Sequence, residues 1–253
     1  MKIRPGVELA SLSDVGCQRE NNEDSFGYWE PANDADFATL GRLAVVADGM
    51  GGHEGGQIAS RLAVDALTKA YAESALTHPQ ERLVSALQDA HRRIQERAKQ
   101  DTVLNSMGTT CTAFALIGAR LYFVHIGDSR LYLLREGKLR ILSRDHTLIR
   151  QLLEKGLIRP EQAHDHPQKH VLTSALGVPG DKLEIDAAPS PIALQKNDIL
   201  MICTDGLWGQ VNTDEIEQQL SSQSPNAACR SLVDLAKKRG GPDNITLQVL
   251  RVS

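Results

Sequence analysis

Four aspartates stand where apolar, strand-like runs end, and that placement constrains the chain more than any other feature. Asp48 closes the run L-A-V-V-A and is followed by Gly49. Asp128 follows V-H-I-G. Asp205 ends I-L-M-I-C-T and is followed by Gly206. Asp243 lies in G-G-P-D-N just ahead of I-T-L-Q-V-L. An acid at the end of a buried strand is partly desolvated, and several brought together repel one another by several kcal/mol unless a cation neutralises them. Taken singly, each Asp-Gly pair reads as a turn, since Asp-Gly is a common turn dipeptide. Taken together, with the flanking sequences they have, they favour a shared site.

All-oxygen donors without paired His or Cys select a hard cation, Mg²⁺ or Mn²⁺. Two such ions bridged by one carboxylate can hold a water between them, lower its pKa and clamp a phosphoryl oxygen. That is a setting for direct attack of hydroxide on a phosphate ester, with no covalent enzyme intermediate.

Strand-like runs cover Val7–Leu12, Leu43–Ala47, Thr110–Ile117, Leu121–Ile126, Leu131–Leu134, Lys138–Leu142, Ile199–Thr204 and Thr246–Val252. Several are short and joined by glycine turns at Gly118 and Gly137, which predicts antiparallel hairpins. Two amphipathic helices are predicted early, over Gln57–Ala72 and Gln80–Gln100, from apolar residues at helical spacing. Asn212 with Glu215 three residues on forms a capping-box signal, and Ser224-Pro225 opens a helix that Gly240-Gly241 closes. Strands and helices fall in mixed blocks without strict alternation, which predicts an α+β fold. No internal repeat, low-complexity tract or Pro/Ser-rich linker divides the 253 residues, so residues 1–253 are expected to form one domain.

The 28 basic and 32 acidic residues leave a formal charge of −4, which excludes a chain dominated by counter-charge to nucleic acid or acidic lipid. Aromatics at 4% also leave few stacking platforms for single strands. No apolar stretch approaches the ~18 residues of a membrane span. The opening M-K-I-R-P-G has no apolar leader region, and Cys17, Cys111, Cys203 and Cys229 form no C-x-x-C pair. Reduced thiols in a cytoplasmic protein are the expectation.

Competing motifs fail on particular residues. The loop D-G-M-G-G-H-E-G-G-Q has P-loop glycine spacing at Gly51 and Gly56, but Gln57 and Ile58 stand where Lys and Ser/Thr are required. His53-Glu54 begins a zinc-protease string whose second His is replaced by Gln57. No Cys has Arg six residues on, and no G-x-S-x-G occurs. His164, His166 and His170 cluster in A-H-D-H-P-Q-K-H, where a zinc site competes with an ordinary solvated loop.

The ordered segments S-D-V-G-C-Q-R-E-N-N-E-D-S-F (13–26), V-V-A-D-G-M-G-G-H-E-G-G-Q-I-A-S (45–60), M-G-T-T (107–110), H-I-G-D-S-R-L-Y (125–132), R-D-H-T (144–147), H-P-Q-K-H-V-L-T-S-A-L-G (166–177), C-T-D-G-L-W (203–208) and G-G-P-D-N-I-T (240–246) together resemble the metal-dependent protein phosphatase 2C family in its compact bacterial form. The resemblance implies a four-layer α-β-β-α sandwich, two central antiparallel sheets flanked by helices. It also implies hydrolysis of phosphoserine and phosphothreonine in proteins with two Mn²⁺ or Mg²⁺ ions. By motif position, Asp48 would bridge both metals, the Gly49 carbonyl would bind one, and Asp205 and Asp243 would hold the other. Asp128 matches the acid of a third, weaker site. Glu23 and Asp24 match an acidic pair that meets the metals directly or through water. Arg19 matches the arginine that binds the substrate phosphate, for which its planar fork is suited. A surface ion pair of Arg19 with Glu20 or Glu23 is the alternative. Asn244 is expected to be a local hydrogen-bonding residue.

Many relatives carry His where this chain has Met50, and that His is a proposed general acid. Met cannot donate a useful proton, so the leaving group falls to a bound water or to solvent, with His53 a remote substitute. Residues 146–177 match the flap beside the active site, expected to be mobile and to shape substrate choice. Two other functions share these residues: a phospho-reader without turnover and a hydrolase of small phosphate esters. The first reading makes phosphorylated proteins the partners, sets an opposing Ser/Thr kinase against this chain, places it in signalling, and leaves it a monomer with no nucleic-acid or membrane partner.

Overall fold

Short apolar runs separated by glycine turns pair with their sequence neighbours, and here they do so in two stacked sheets. The computed structural model describes residues 3–51, 54–163, 166–178 and 183–253. In chain order, strands β1 (Val7–Asp14) and β2 (Asp24–Trp29) precede helix α1 (Asp34–Leu40), strand β3 (Arg42–Met50) and helices α2 (Gly55–Glu73) and α3 (Pro79–Gln100). Then come β4 (Gly108–Thr109), β5 (Cys111–Ile117), β6 (Arg120–Ile126), β7 (Arg130–Arg135) and β8 (Lys138–Ile141). Short helices α4 (Leu148–Glu154) and α5 (Pro160–Ala163) lead to β9 (Asp186–Ala187), β10 (Ile192–Ala193) and β11 (Ile199–Cys203). Helices α6 (Asp205–Trp208), α7 (Thr213–Ser222) and α8 (Pro225–Lys238) precede the last strand, β12 (Ile245–Val252).

One sheet has the order β1-β12-β11-β7-β8. The other runs β10-β6-β5-β3-β2, with β4 on β3 and β9 on β6. Every pairing is antiparallel. Apolar residues on both faces of the central strands make three cores. Val46, Phe114, Leu131, Leu200 and Leu250 fill the space between the sheets. Leu67, Leu83, Leu87 and Ile94 of α2 and α3 cover Val45 and Val124 on one outer face. Ile216, Leu220, Leu232 and Val233 of α7 and α8 cover Met201 and Val249 on the other. The layers are helix, sheet, sheet, helix, as expected.

Strand β2 and helix α1 escaped the sequence pattern, as did the very short elements β4, α5, β9, β10 and α6. Strand β2 is S-F-G-Y-W behind an acid, and its Gly27 breaks the apolar run. A Cβ there would lie 2.6 Å from Val64 Cγ1, so glycine lets α2 lie close on the strand. Helix α1 is short and acid-rich, capped by Asn33, which accepts from the Asp36 N–H, and stopped at Gly41. The capping box of α7 is present in both directions between Asn212 and Glu215. Most expected boundaries shifted by one or two residues, and two shifts bear on the acids: β3 runs two residues past Asp48, and Asp205 opens α6 instead of trailing a strand.

Candidate active site

The Asp-Gly pairs are close-approach points, not turns. Gly49 lies inside β3, and a Cβ on it would sit 2.1 Å from the Gly56 carbonyl oxygen, where the start of α2 crosses the strand. Gly206 lies inside α6, and a Cβ on it would sit 2.0 Å from the Asn244 carbonyl oxygen. Only glycine allows these backbones to touch. The contact at Gly206 sets Asp205 against the loop that carries Asp243.

Asp24 and Asp48 are direct neighbours across β2 and β3. The backbone of Asp48 is pinned by two threonines. Its N–H donates to Thr110 Oγ1 at 3.0 Å, and its carbonyl accepts from the Thr110 N–H at 2.9 Å and from Thr109 Oγ1 at 2.8 Å. Asp128 occupies the turn between β6 and β7 and is 5% exposed. The loop between β1 and β2 lies against residues 241–244. The Cys17 N–H donates to the Gly241 carbonyl, and Asn244 Nδ2 donates to the carbonyls of Val15 and Asn21 while its Oδ1 accepts from the Glu23 N–H. Asn244 is thus the local hydrogen-bonding residue expected, and it holds the arm that carries Arg19 and Glu23.

A cleft of about 620 Å³ results, lined by Arg19, Glu23, Asp48, Gly49, Asp128, Asp205 and Asp243, with Met50, Leu172 and Val178 as its apolar wall and His170 at its rim. Seven of the eight sequence-nominated residues therefore converge. Asp24 is buried behind them: its Oδ2 accepts from Thr204 Oγ1 at 2.9 Å, and its Oδ1 has no partner.

The charge is concentrated. Burial, then the fields of Asp24, Asp205, Asp128 and Asp243, push the Asp48 carboxyl well above the usual carboxylate range. Burial, then Asp205 and Asp145, do the same to Asp128. Burial raises Asp24 to about 7 against the donated bond from Thr204, with Asp205 and Asp243 adding repulsion. Burial also raises Glu23, which Arg19 opposes. Clustered buried carboxylates call for positive charge. Arg19 donates to Asp243 Oδ2 at 2.9 Å, rather than to Glu20 or Glu23. His170 Nδ1 lies 3.6 Å from Asp205 Oδ2, and its imidazolium is favoured by that neighbour. Among the described residues no three acidic, His or Cys side chains already cage an ion. The donor set is nevertheless all oxygen, with an unpartnered buried carboxylate oxygen on Asp24. It fits hard divalent cations and no soft metal.

A supporting network lay outside sequence reasoning because its members are far apart in the chain. Trp208 Nε1–H donates to the Asp128 carbonyl at 2.9 Å. The Arg130 guanidinium stacks 3.6 Å from the Trp208 ring centroid and forks onto Asp145 at the base of the flap. Next to it, the His146 N–H donates to the Gly127 carbonyl, and the Gly127 N–H donates to His146 Nδ1. Buried His125 donates from Nε2 to the same Gly127 carbonyl and accepts from Thr112 at Nδ1. The turn presenting Asp128 is thus held from two sides.

The remaining histidine nominations separate. His53 and His164 lie outside the described residues. His166 Nδ1 accepts from the Gln168 N–H in its own loop, while His170 faces the cleft. The cleft offers no free hydroxyl or thiol nucleophile among the described residues. Thr110 Oγ1 is shared between the Asp48 N–H and Ser129 Oγ, and burial pushes the Cys203 thiol up.

Comparison with known proteins agrees with this architecture. The serine/threonine phosphatase Stp of Listeria welshimeri is 37% identical over 240 residues, which are 93% of this chain and 92% of that protein. The serine/threonine protein phosphatase PstP of Mycobacterium tuberculosis is 35% identical over 246 residues, 97% of this chain, and this chain spans 45% of that protein's length. The catalytic domain of PstP, solved in complex with two manganese ions, superposes with a TM-score of 0.82 at 34% identity and 98% coverage of both chains. The sequence profile described as protein phosphatase 2C matches residues 18–238, and with these likenesses in length, order and fold the chain belongs to the protein phosphatase 2C family.

Proposed function

We propose that this chain, acting as one catalytic unit, hydrolyses phosphoserine and phosphothreonine in proteins with the help of divalent cations. The convergence of Asp48, Asp128, Asp205, Asp243 and Glu23 with Arg19 in one cleft carries the reading. Asp48, with the Gly49 carbonyl, Asp205 and Asp243, would hold two Mn²⁺ or Mg²⁺ ions. Asp128 would hold a third, and Glu23 and Asp24 would meet them directly or through water. When bound, these ions supply positive charge to the phosphoryl oxygens and a water acidic enough to attack phosphorus at neutral pH.

The chain's own residues do the rest. Arg19, 53% exposed on its side chain, now donates to Asp243 and has the planar fork to hold two phosphate oxygens in its place. Asn244 and Asp24 fix the arm and the strand that aim Arg19 and Asp48. Thr109 and Thr110 keep the Asp48 backbone still while its carboxylate changes partners. With Thr110 tied up and no thiolate in reach among the described residues, no hydroxyl or thiol there is set to form a phosphoryl-enzyme, which supports direct attack by water. Met50 lines the cleft where it donates no proton, so the leaving oxygen takes its proton from water. Such an activity implies an opposing Ser/Thr kinase and a place in signalling.

The test is hydrolysis of p-nitrophenyl phosphate and of a phosphothreonine peptide with Mn²⁺ and then with EDTA. Turnover of both with Mn²⁺, lost with EDTA, is expected. Mn²⁺-independent binding of the peptide without release of phosphate would make the chain a phospho-reader. Release from the small ester alone would make it a small-ester hydrolase.

A further inference from the structure

A second groove, of about 480 Å³, is lined partly by the flap and borders the catalytic cleft through neighbouring residues of the chain. Trp208, on its floor, is three residues beyond Asp205 on the same helix. Lys169, on its rim, immediately precedes His170, which faces Asp205. Leu153 of α4 and Val211 complete an apolar floor, and Arg150 and Arg239 join Lys169 around it.

The charge balance singles the groove out. On a chain of net charge −4, its described lining carries Arg130, Arg150, Lys169 and Arg239 against one acid, Asp145. Arg130 already engages that acid through two nitrogens. Arg150 meets Glu154 through Nε alone, one of its five donors, and its side chain is 51% exposed. Arg239 is held by Glu215 and the Gln210 carbonyl. An occupant must therefore bring negative charge to the rim and an apolar side chain to the floor.

Resting on the phosphatase reading of the adjoining cleft, we propose that this groove seats an acidic segment of the phosphoprotein substrate, carrying an apolar residue, beside the phosphorylated one. A rim of this kind acts through encounter and complementarity. Its contribution belongs in KM and not in kcat, and it fades as salt screens it.

The experiment uses the whole chain with Mn²⁺ and two phosphothreonine peptides of equal length, one flanked by Asp, Glu and Leu, the other by Lys, Arg and Leu. Binding is read by fluorescence anisotropy, turnover by phosphate release, and p-nitrophenyl phosphate serves as the small reference. The expected result is about tenfold tighter binding and lower KM for the acidic peptide, equivalent to about 1.4 kcal/mol. Lys169→Glu should reverse the preference with the unfolding temperature unchanged, and Arg150→Gln should reduce it. Both variants should hydrolyse p-nitrophenyl phosphate as the parent does. Equal binding of the two peptides, or a preference that survives Lys169→Glu, would overturn the proposal. A dimer that Lys169→Glu dissociates would also overturn it, by giving the groove to a second copy. If the small ester is not hydrolysed but the acidic peptide still binds in a Lys169-dependent way, the docking stands and the phosphatase reading falls.

Discussion

Asp128 shows how much of a site's chemistry depends on residues that never touch a ligand. Its carbonyl is held by the Trp208 indole, whose ring is in turn covered by Arg130. Trp208→Phe keeps a ring for Arg130 to stack on and removes the N–H, leaving a buried carbonyl without its donor. A loss of about 1–3 kcal/mol in stability is expected, together with a higher Mn²⁺ concentration for half-maximal activity. Denaturant unfolding and a Mn²⁺ titration check the two effects, and no change in either would remove Trp208 from the account. His125 offers a pH test. Burial pushes its imidazole from 6.5 down to about 3. The unfolded chain takes up this proton as the pH falls through 6.5 and the folded chain does not until about 3. This residue's contribution to stability is therefore complete above the upper value and is lost as the pH falls toward the lower one. The stability gap between the parent and His125→Asn should narrow between about pH 7 and about pH 4, and a gap independent of pH would contradict the assignment. The aspartates themselves were legible because each stands beside an end of an apolar run, Asp243 just ahead of one and the others just after. Trp208, Arg130 and His146 were not singled out, since each acts on a residue at least 19 positions away, a partnership with no periodic trace in the chain.

At the scale of elements, local rules that depend on neighbours in sequence were readable. The capping box at Asn212 and the start of α8 at Pro225 stand where the residues put them. Asn212→Ala removes the acceptor for the Glu215 N–H and should cost about 1 kcal/mol, measured by urea unfolding. A cost near zero would mean that the Arg239–Glu215 ion pair, not the cap, holds this end of α7. Rules that depend on crossing backbones were not readable: the Asp-Gly pairs pointed to a shared site, but nothing in the sequence showed that Gly49 and Gly206 are contact points between backbones. Strand β2 was hidden for the same reason, because its Gly27 serves the packing of α2 rather than the strand. The base of the flap is stapled to the site's own turn by the His146–Gly127 bonds, and its two ends are tied to each other by the Thr147–Leu172 bridge and the Thr173 N–H donating to the His146 carbonyl. Substrate choice by this segment is therefore expected to work through a fixed root.

The molecule as a whole assembles its cleft from the loop between β1 and β2, β3, the turn after β6, α6 and the loop before β12, elements attached to both sheets. The sandwich brings the ends of these strands together, and buried carboxylates gather there at the expense of stability. Divalent ions that bind only the folded chain stabilise it by mass action, so Mn²⁺ should raise the unfolding temperature, and Asp48→Asn should abolish most of that rise. The central claim is that Asp48, Asp205 and Asp243 share two cations. Diffraction at the manganese absorption edge from crystals grown with Mn²⁺ reads this directly. Two anomalous peaks in the cleft, with Asp48 between them and Asp205 and Asp243 on one of them, are the expected result. A cleft without anomalous signal, with Arg19 still paired to Asp243, would contradict the account.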